Sequence, residues 1–247
     1  KVVFDVQCDK ASIGWMDLDY FYNEFGKNNV FYVDTHLVGT LNNFTTQNLK
    51  LVDKNQSEIV GTINFQNLFG KGDQAFYMKG NFDRLTSSYD RLKAILPRIL
   101  GKNLPSTLDK LGTVNMIGGV ELTQKYINAD VYLMSKLGEL ESNLSMQNID
   151  VIDNALYKGN LILNDFDLGT LLGQQEIGRA TVNLDVDGRG FTQKLLNTAI
   201  KGEIRKFYYN GYNYQNITVD GSMKMPYYKG YFNSNDPNLK MDFDGTI

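Results

Sequence analysis

The fold is decided by the alternation in Gly178-Arg-Ala-Thr-Val-Asn-Leu-Asp-Val186. Every second residue from Gly178 onward is small or apolar, and the residues between them are polar or charged. Successive side chains of a β-strand point to opposite faces of a sheet, so this stretch predicts a strand with one apolar face and one polar face. The same alternation returns at residues 217–224 and 239–247. These repeats indicate antiparallel strands that share one apolar face.

Glycines recur on the apolar side of these strands, usually two residues before a large apolar side chain. Glycine weakens a strand and often marks a bend or the close approach of another backbone. We therefore expect each strand to crease at its glycine, so that the sheet folds along its length around the apolar face. The predicted crease glycines are Gly39, Gly61, Gly80, Gly118, Gly159, Gly178, Gly202, Gly221 and Gly245.

The spacing of these glycines predicts a repeated hairpin. Gly39 and Gly61 are 22 residues apart, and Gly159 and Gly178 are 19 apart. Two strands per ~20 residues give a long meander of about 20 strands. The predicted fold class is all-β: an elongated antiparallel meander folded into a groove, or β-taco, with a hydrophobic interior and short amphipathic helix inserts.

Helical inserts interrupt the alternation. Apolar residues at helical spacing predict an amphipathic helix between residues 86 and 101, and shorter helical turns are expected at 16–26, 106–111 and 166–173. We expect the chain to be part of a longer protein. Its predicted organisation is one continuous repeat-type segment over 1–247, with strands at 1–80, a helical insert at 81–113 and further strands at 114–247.

Composition excludes several classes of function. The 247 residues are 42% hydrophobic and 21% charged, with a net charge of -3, which is typical of a globular chain. Basic residues do not cluster, so we expect no nucleic-acid partner. The single Cys8 excludes an internal disulfide framework. His36 lies on the polar side of a strand, and no metal-ligand spacing occurs, so we expect neither an enzyme, nor a metal site, nor a cofactor.

The apolar face is the candidate site. A folded sheet with an apolar inside offers a continuous lining for acyl chains, and each buried methylene contributes ~0.8 kcal/mol. The residues expected to line this groove are Leu37, Leu41, Ile63, Phe65, Met78, Phe82, Val120, Leu122, Val131, Leu133, Leu140, Leu144, Leu161, Leu163, Val182, Leu184, Val186, Ile204, Val219, Met223, Phe232, Leu239, Met241 and Phe243.

Several motifs, in their order along the chain, carry a resemblance to a known family. They are Met16-Asp-Leu-Asp-Tyr-Phe21, Phe166-Asp-Leu-Gly-Thr-Leu-Leu-Gly173, Asp187-Gly-Arg-Gly-Phe191 and Asn235-Asp-Pro-Asn-Leu-Lys-Met-Asp-Phe-Asp-Gly245. In these motifs the chain resembles the TamB branch of the AsmA-like proteins, which are bacterial relatives of the bridge-like lipid-transfer proteins.

The resemblance implies a location and partners. It implies the periplasm of a Gram-negative bacterium, with an anchor in the inner membrane through an N-terminal helix that this chain lacks. It also implies phospholipid as the transported ligand, and a partner barrel of the BamA/TamA type in the outer membrane, including a lipoprotein version of it. The implied function is a section of a conduit that carries phospholipid acyl chains between the two membranes.

Two alternatives stay open at the level of sequence. The same groove, or its sheet edges, would suit a chaperone or assembly scaffold for outer-membrane or autotransporter proteins, because an extended segment can add to an unpaired strand. A transmembrane β-barrel also alternates apolar and polar residues. The short strands and the charged helical insert argue against that second alternative.

Overall fold

The structure is a computed structural model that describes residues 2–14, 30–54, 57–68, 76–95, 106–190, 195–224 and 226–247. Two sequence-based expectations lie outside the described residues. They are the helical turn at 16–26 and the second half of the long helix, from residue 96 to residue 101.

Antiparallel strands make up most of the described chain. Fourteen of them follow one another in chain order across one sheet, so the predicted all-β antiparallel meander is confirmed. Most of these strands have 9 to 13 residues, which is why the described residues hold fewer than the expected ~20. Their bounds are β1 Phe4–Gly14, β2 Val30–Thr40, β3 Asn43–Asp53, β4 Glu58–Gln66, β5 Tyr77–Ser88, β6 Thr113–Thr123, β7 Tyr126–Ser135, β8 Gly138–Gln147, β9 Leu156–Asp167, β10 Ile177–Arg189, β11 Asn197–Tyr209, β12 Tyr212–Lys224, β13 Tyr227–Asn235 and β14 Lys240–Thr246.

Short helical segments interrupt the strands, as predicted. Helix α1 spans Tyr89–Ile95 and begins later than expected, because β5 continues to Ser88. A 3-10 segment at Ser106–Leu111 and helix α2 at Leu168–Leu172 confirm two of the predicted helical turns. A further 3-10 segment covers Ile149–Asn154. Among the described residues, none of the helices has both the length and the apolar character that crossing a membrane requires.

The chain divides into two compact units, a first unit of residues 1–126 and a second unit of residues 127–247. Each unit carries its core on the apolar face of its strands. Leu122 is the most buried of these side chains in the first unit, and Phe166 and Ala180 are the most buried pair in strands β9 and β10 of the second. A hydrophobic interior is therefore present in each unit. The prediction of a single continuous segment stays a prediction.

Five of the predicted crease glycines adopt a backbone conformation that other residues rarely adopt. Gly159 has a φ of +150°, and a Cβ at this position would lie 1.9 Å from the carbonyl oxygen of Asn143 on the neighbouring strand β8. Glycine therefore allows the backbones of β8 and β9 to approach closely. Positive φ angles also occur at Gly39, Gly61, Gly118 and Gly202.

Each of the other four predicted crease glycines lies against an aromatic ring. A Cβ at Gly80 would lie 2.5 Å from the ring of Phe82, two residues along the same strand. None of these four glycines has the positive φ of the first set. The ring-covered glycines and their rings are Gly80 with Phe82, Gly178 with Tyr208, Gly221 with Tyr228, and Gly245 with Phe243. At Gly221 a Cβ would also lie 2.5 Å from the backbone oxygen of Lys229 on β13.

Several strands also contain β-bulges, which the alternation did not predict. The register between β3 and β4 shifts between Thr46 and Leu49, where Asn48 has a φ of +51°. A bulge inserts one extra residue, bends the strand and moves the later apolar side chains to the other parity. Strands β1 and β9 also contain a bulge with a positive φ, at Lys10 and at Asp165 respectively.

Candidate functional site

The apolar side chains of strands β8–β14 lie in rows that cross the sheet of the second unit. Directly opposed residues of antiparallel strands share one face, so the register defines each row. The first row runs through Leu140, Leu163, Val182, Ile204, Ile217, Ser234 and Met241. The second runs through Ser142, Leu161, Leu184, Gly202, Val219, Phe232 and Phe243. The register thus brings together most of the lining residues predicted for these strands.

A third row is poor in side chains. Gly221, Gly230 and Gly245 are directly opposed on β12, β13 and β14, which leaves a furrow in the apolar face. The rings of Tyr228 and Phe243 cover its first and last glycine. The whole row runs through Leu144, Gly159, Val186, Ile200, Gly221, Gly230 and Gly245.

The first unit has a comparable row that is aromatic. Gly39 of β2 lies between Phe4 of β1 and Phe44 of β3, and the two rings are 6.2 Å apart. Phe44 also lies 5.2 Å from the ring of Phe65 on β4. The row continues to Met78 and then to Leu122. The absence of a side chain at Gly39 allows rings from the two strands beside it to meet.

Burial divides the predicted lining residues into two sets. Eight are buried, namely Ile63, Met78, Phe82, Leu122, Val131, Leu163, Val182 and Val219. Fifteen are half-buried, namely Leu37, Phe65, Val120, Leu133, Leu140, Leu144, Leu161, Leu184, Val186, Ile204, Met223, Phe232, Leu239, Met241 and Phe243. The buried set packs as core, whereas the half-buried set keeps apolar surface that an apolar ligand would contact.

Leu41 departs from the predicted lining. It lies in the turn between β2 and β3 and is 56% exposed, so it is not part of the apolar face. Leu41 was predicted on the apolar face because it follows Gly39 by two residues, and alternate residues of a strand share a face. The strand ends at Thr40, however, and parity has no meaning beyond the end of a strand.

Two lysines on the polar face of the second unit pair with aspartates on neighbouring strands. Lys158 Nζ lies 2.8 Å from Asp187 Oδ2, and Lys201 Nζ lies 2.7 Å from Asp220 Oδ2. The hydrogen bond to the aspartate raises the pKa of each lysine. Such cross-strand pairs keep this face hydrated, so the two faces of the sheet differ in polarity as the alternation predicted.

His36 and Cys8 lie in the first unit, away from the rows of β8–β14. His36 Nε2 lies 2.5 Å from Asp5 Oδ1, between strands β2 and β1. Cys8 is free and half-buried. Within the described ranges, histidine, cysteine and acidic side chains form no group that could hold a metal ion.

The buried carboxyl group of Asp236 was not predicted from the sequence. Asp236 is fully buried in the loop before β14 and accepts hydrogen bonds from the Tyr212 hydroxyl at 2.7 Å, the Asn238 N–H at 2.8 Å and the Gln215 N–H at 2.9 Å. Burial alone would raise the pKa of this carboxyl, but these donors outweigh it and lower the pKa. Asp236 thus fixes the loop to β12. The turn residues Asn-Asp-Pro-Asn around it were the available signal.

Comparisons with known proteins leave the family open. No protein-family model matches the chain, and neither does any curated protein or solved structure. The resemblance to the TamB branch therefore stays a prediction, and the function has to be argued from the two faces of the sheet.

Proposed function

We propose that the apolar face of this chain binds phospholipid acyl chains and conducts them between the inner and outer membranes of a Gram-negative bacterium. The observation that carries the proposal is the set of apolar rows across β8–β14. Leu161 and Leu184 are directly opposed and half-buried, and so are Phe232 and Phe243. An acyl chain on this face would replace water at each of these side chains.

The rows favour movement over tight binding. From strand to strand they offer a similar lining, so a lipid that shifts by one strand exchanges its contacts for nearly equal ones. No single site then holds the acyl chain strongly. Because the opposite face is charged and hydrated, the acyl chain is confined to one side of the sheet. The proposed activity is therefore passive conduction, without a catalytic step or a cofactor.

Location and partners enter the proposal through the sequence resemblance. We place the chain in the periplasm, anchored in the inner membrane through a segment outside this sequence and coupled to a BamA/TamA-type barrel in the outer membrane. We expect no nucleic-acid partner, because basic residues do not cluster along the sequence.

A second candidate function is that of a chaperone or assembly scaffold for outer-membrane or autotransporter proteins. The observation that favours it is the strand order, in which β1 and β14 each have a described neighbour on one side only. A strand with unpaired N–H and C=O groups can accept an extended segment.

A photo-crosslinking experiment tests both functions. A photoreactive side chain is placed in the full chain at Leu184, on the apolar face, or at Asp185, on the polar face, and crosslinked in cells. We expect phospholipid attached at Leu184 and none at Asp185. Protein adducts without lipid would replace the conduit by the scaffold, and the lack of any adduct at either position would overturn both functions.

A further inference from the structure

The polar face of the second unit contains a concavity that the lipid proposal does not use. Its volume is about 400 Å³, within the range of small-molecule sites. Its polar lining side chains, on strands β7–β11, belong to the face opposite the apolar rows, and Leu163 and Val182 of the first row also border it. Its lining residues are Tyr132, Glu139, Glu141, Ile162, Leu163, Asn164, Thr181, Val182, Asn183 and Arg205.

A bulge accounts for a depression in a face that would otherwise be flat. Strand β9 is bulged at Asp165, where φ is +44° and the register with β10 shifts between Ala180 and Val182. Bulges bend a strand and increase its twist locally. Ile162 is half-buried on this polar face, opposite Glu141 on one side and Asn183 on the other, and gives the concavity an apolar floor.

The β8 end of the concavity is acidic. Glu139 Oε2 accepts a hydrogen bond from Asn164 Nδ2 at 3.0 Å. The Tyr132 hydroxyl also donates a hydrogen bond to the Glu139 carboxylate. Burial of that hydroxyl, and then its bond to Glu139, raises the pKa of Tyr132. Glu141, two residues along the same strand, is exposed and has no hydrogen-bond or ion-pair partner among the described residues. Its carboxylate remains available for a cation.

The β11 end of the concavity is basic. The Nε of Arg205 lies 3.9 Å from Glu203 Oε2, and this is the closest described ionic partner of the guanidinium. Its two terminal nitrogens keep the forked donor geometry that suits a carboxylate. Between the two ends, Asn183 Oδ1 accepts a hydrogen bond from Asn160 Nδ2 at 3.0 Å, so the Nδ2 of Asn183 is left to donate.

The separation of the two ends sets the length of a ligand that bridges them. Glu141 lies on β8 and Arg205 on β11, three strand spacings of about 4.8 Å away and two residues of about 3.3 Å along the strand, which puts their Cα atoms about 16 Å apart. Strand side chains stand roughly perpendicular to the sheet, so the two charged groups are about as far apart as their Cα atoms, and a hydrogen bond of about 3 Å at each end leaves about 10 Å for the ligand. An extended chain of three residues has this length.

We infer that this concavity binds a short extended zwitterion of about three residues, a peptide with free termini, whose ammonium group meets Glu141 and whose carboxylate meets Arg205. Asn183 faces the peptide groups between the termini. The inference does not rest on the lipid proposal, because it concerns the opposite face of the sheet.

Isothermal titration of the full chain with triglycine tests the inference. We expect saturable binding that weakens at least tenfold in E141Q and, separately, in R205Q, while circular dichroism shows an unchanged fold. Triglycine with an acetylated N-terminus and an amidated C-terminus should bind the unchanged protein more weakly than free triglycine, by a similar factor. Glu176, exposed before β10, supplies the control variant E176Q, which should bind triglycine like the unchanged protein.

Three results would overturn the inference. The first is no saturable heat with triglycine up to about 10 mM. The second is equal affinity for the blocked peptide, which would mean that the terminal charges are not recognised. The third is equal or tighter binding of phosphoethanolamine, whose charges are too close together to reach both ends. That result would replace the extended peptide by a compact zwitterion such as a lipid headgroup.

Discussion

Replacement of Gly159 by alanine tests whether the positive-φ glycines allow the close approach of neighbouring strands. Its φ of +150° belongs to a region that is almost exclusive to glycine, and holding alanine there costs about 1–3 kcal/mol. The new Cβ would also lie 1.9 Å from Asn143 O and 2.9 Å from Leu144 Cα. Because backbone atoms have to move, overpacking adds about 1–3 kcal/mol. We therefore expect G159A to lower the free energy of unfolding by about 2–6 kcal/mol.

Gly211 provides the matched control in the same unit. It lies in the turn between β11 and β12 with a φ of +87°, and a Cβ there would have no neighbour within 4 Å. The variant G211A therefore carries only the backbone term of about 1–2 kcal/mol. Urea unfolding, followed by far-UV circular dichroism, gives the free energy of unfolding of each variant by linear extrapolation. If G159A lost no more stability than G211A, strands β8 and β9 would not be in the close contact described here.

Three further predictions follow from buried or lining side chains. Phe166 is 1% exposed, so F166A should destabilise the chain by about 3–5 kcal/mol and F166L by less than about 1.5 kcal/mol in urea unfolding; equal losses would contradict its placement in the core. Asp236 has a lowered pKa, so its carboxylate stabilises the fold above the ordinary pKa of about 3.9 and loses this effect as pH falls below it. The melting temperatures of the unchanged protein and D236N should thus differ most above about pH 5 and converge in acid, and a difference independent of pH would refute this. L184D should reduce co-purified phospholipid, measured by mass spectrometry, more than tenfold relative to D185N, because an ion on an apolar face excludes acyl chains; equal lipid in both would exclude this face as the binding surface.

Strand parity was the part of the fold most accessible from the sequence. Alternation of side chains around Leu184 and Val219 predicted strands with one apolar face, and the register places both residues on it. Parity depends only on the geometry of a single strand, so it can be read without knowing the neighbours. The rows of the candidate site needed in addition the register between neighbouring strands, which parity within a single strand does not give.

Core residues beyond a bulge were missed for a definite reason. Leu49, Leu85 and Phe166 are buried, but they have the opposite parity to the apolar residues that precede them in their strands. Each follows two consecutive polar residues, as in Gln47-Asn48 before Leu49 and Asn164-Asp165 before Phe166. A doublet of this kind within an alternating run is the local signal of a bulge, because the extra residue must also face water.

The two kinds of glycine show where local sequence stops being sufficient. Lys79-Gly80-Asn81-Phe82 and Lys229-Gly230-Tyr231-Phe232 share the same pattern of lysine, glycine and phenylalanine. Gly80 nevertheless has no positive φ and is covered by the ring of Phe82, whereas Gly230 has a φ of +142° and approaches the backbone of the next strand.

The residues directly opposite the two glycines also differ. Gly80 lies between Ile63 and Val120, and the ring of Phe82 occupies the space that a Cβ on Gly80 would take. Gly230 lies between Gly221 and Gly245, and a Cβ on Gly230 would lie only 2.4 Å from Gly221 Cα. Large opposed residues do not by themselves keep backbones apart, since Gly159 lies between Leu144 and Val186 and still approaches the backbone of β8. Neither the local pattern nor the opposed residues alone therefore decide which kind of glycine forms. It also follows that exchanging Gly221 for a larger residue should disturb Gly230 on the adjacent strand, although the two are nine residues apart in sequence.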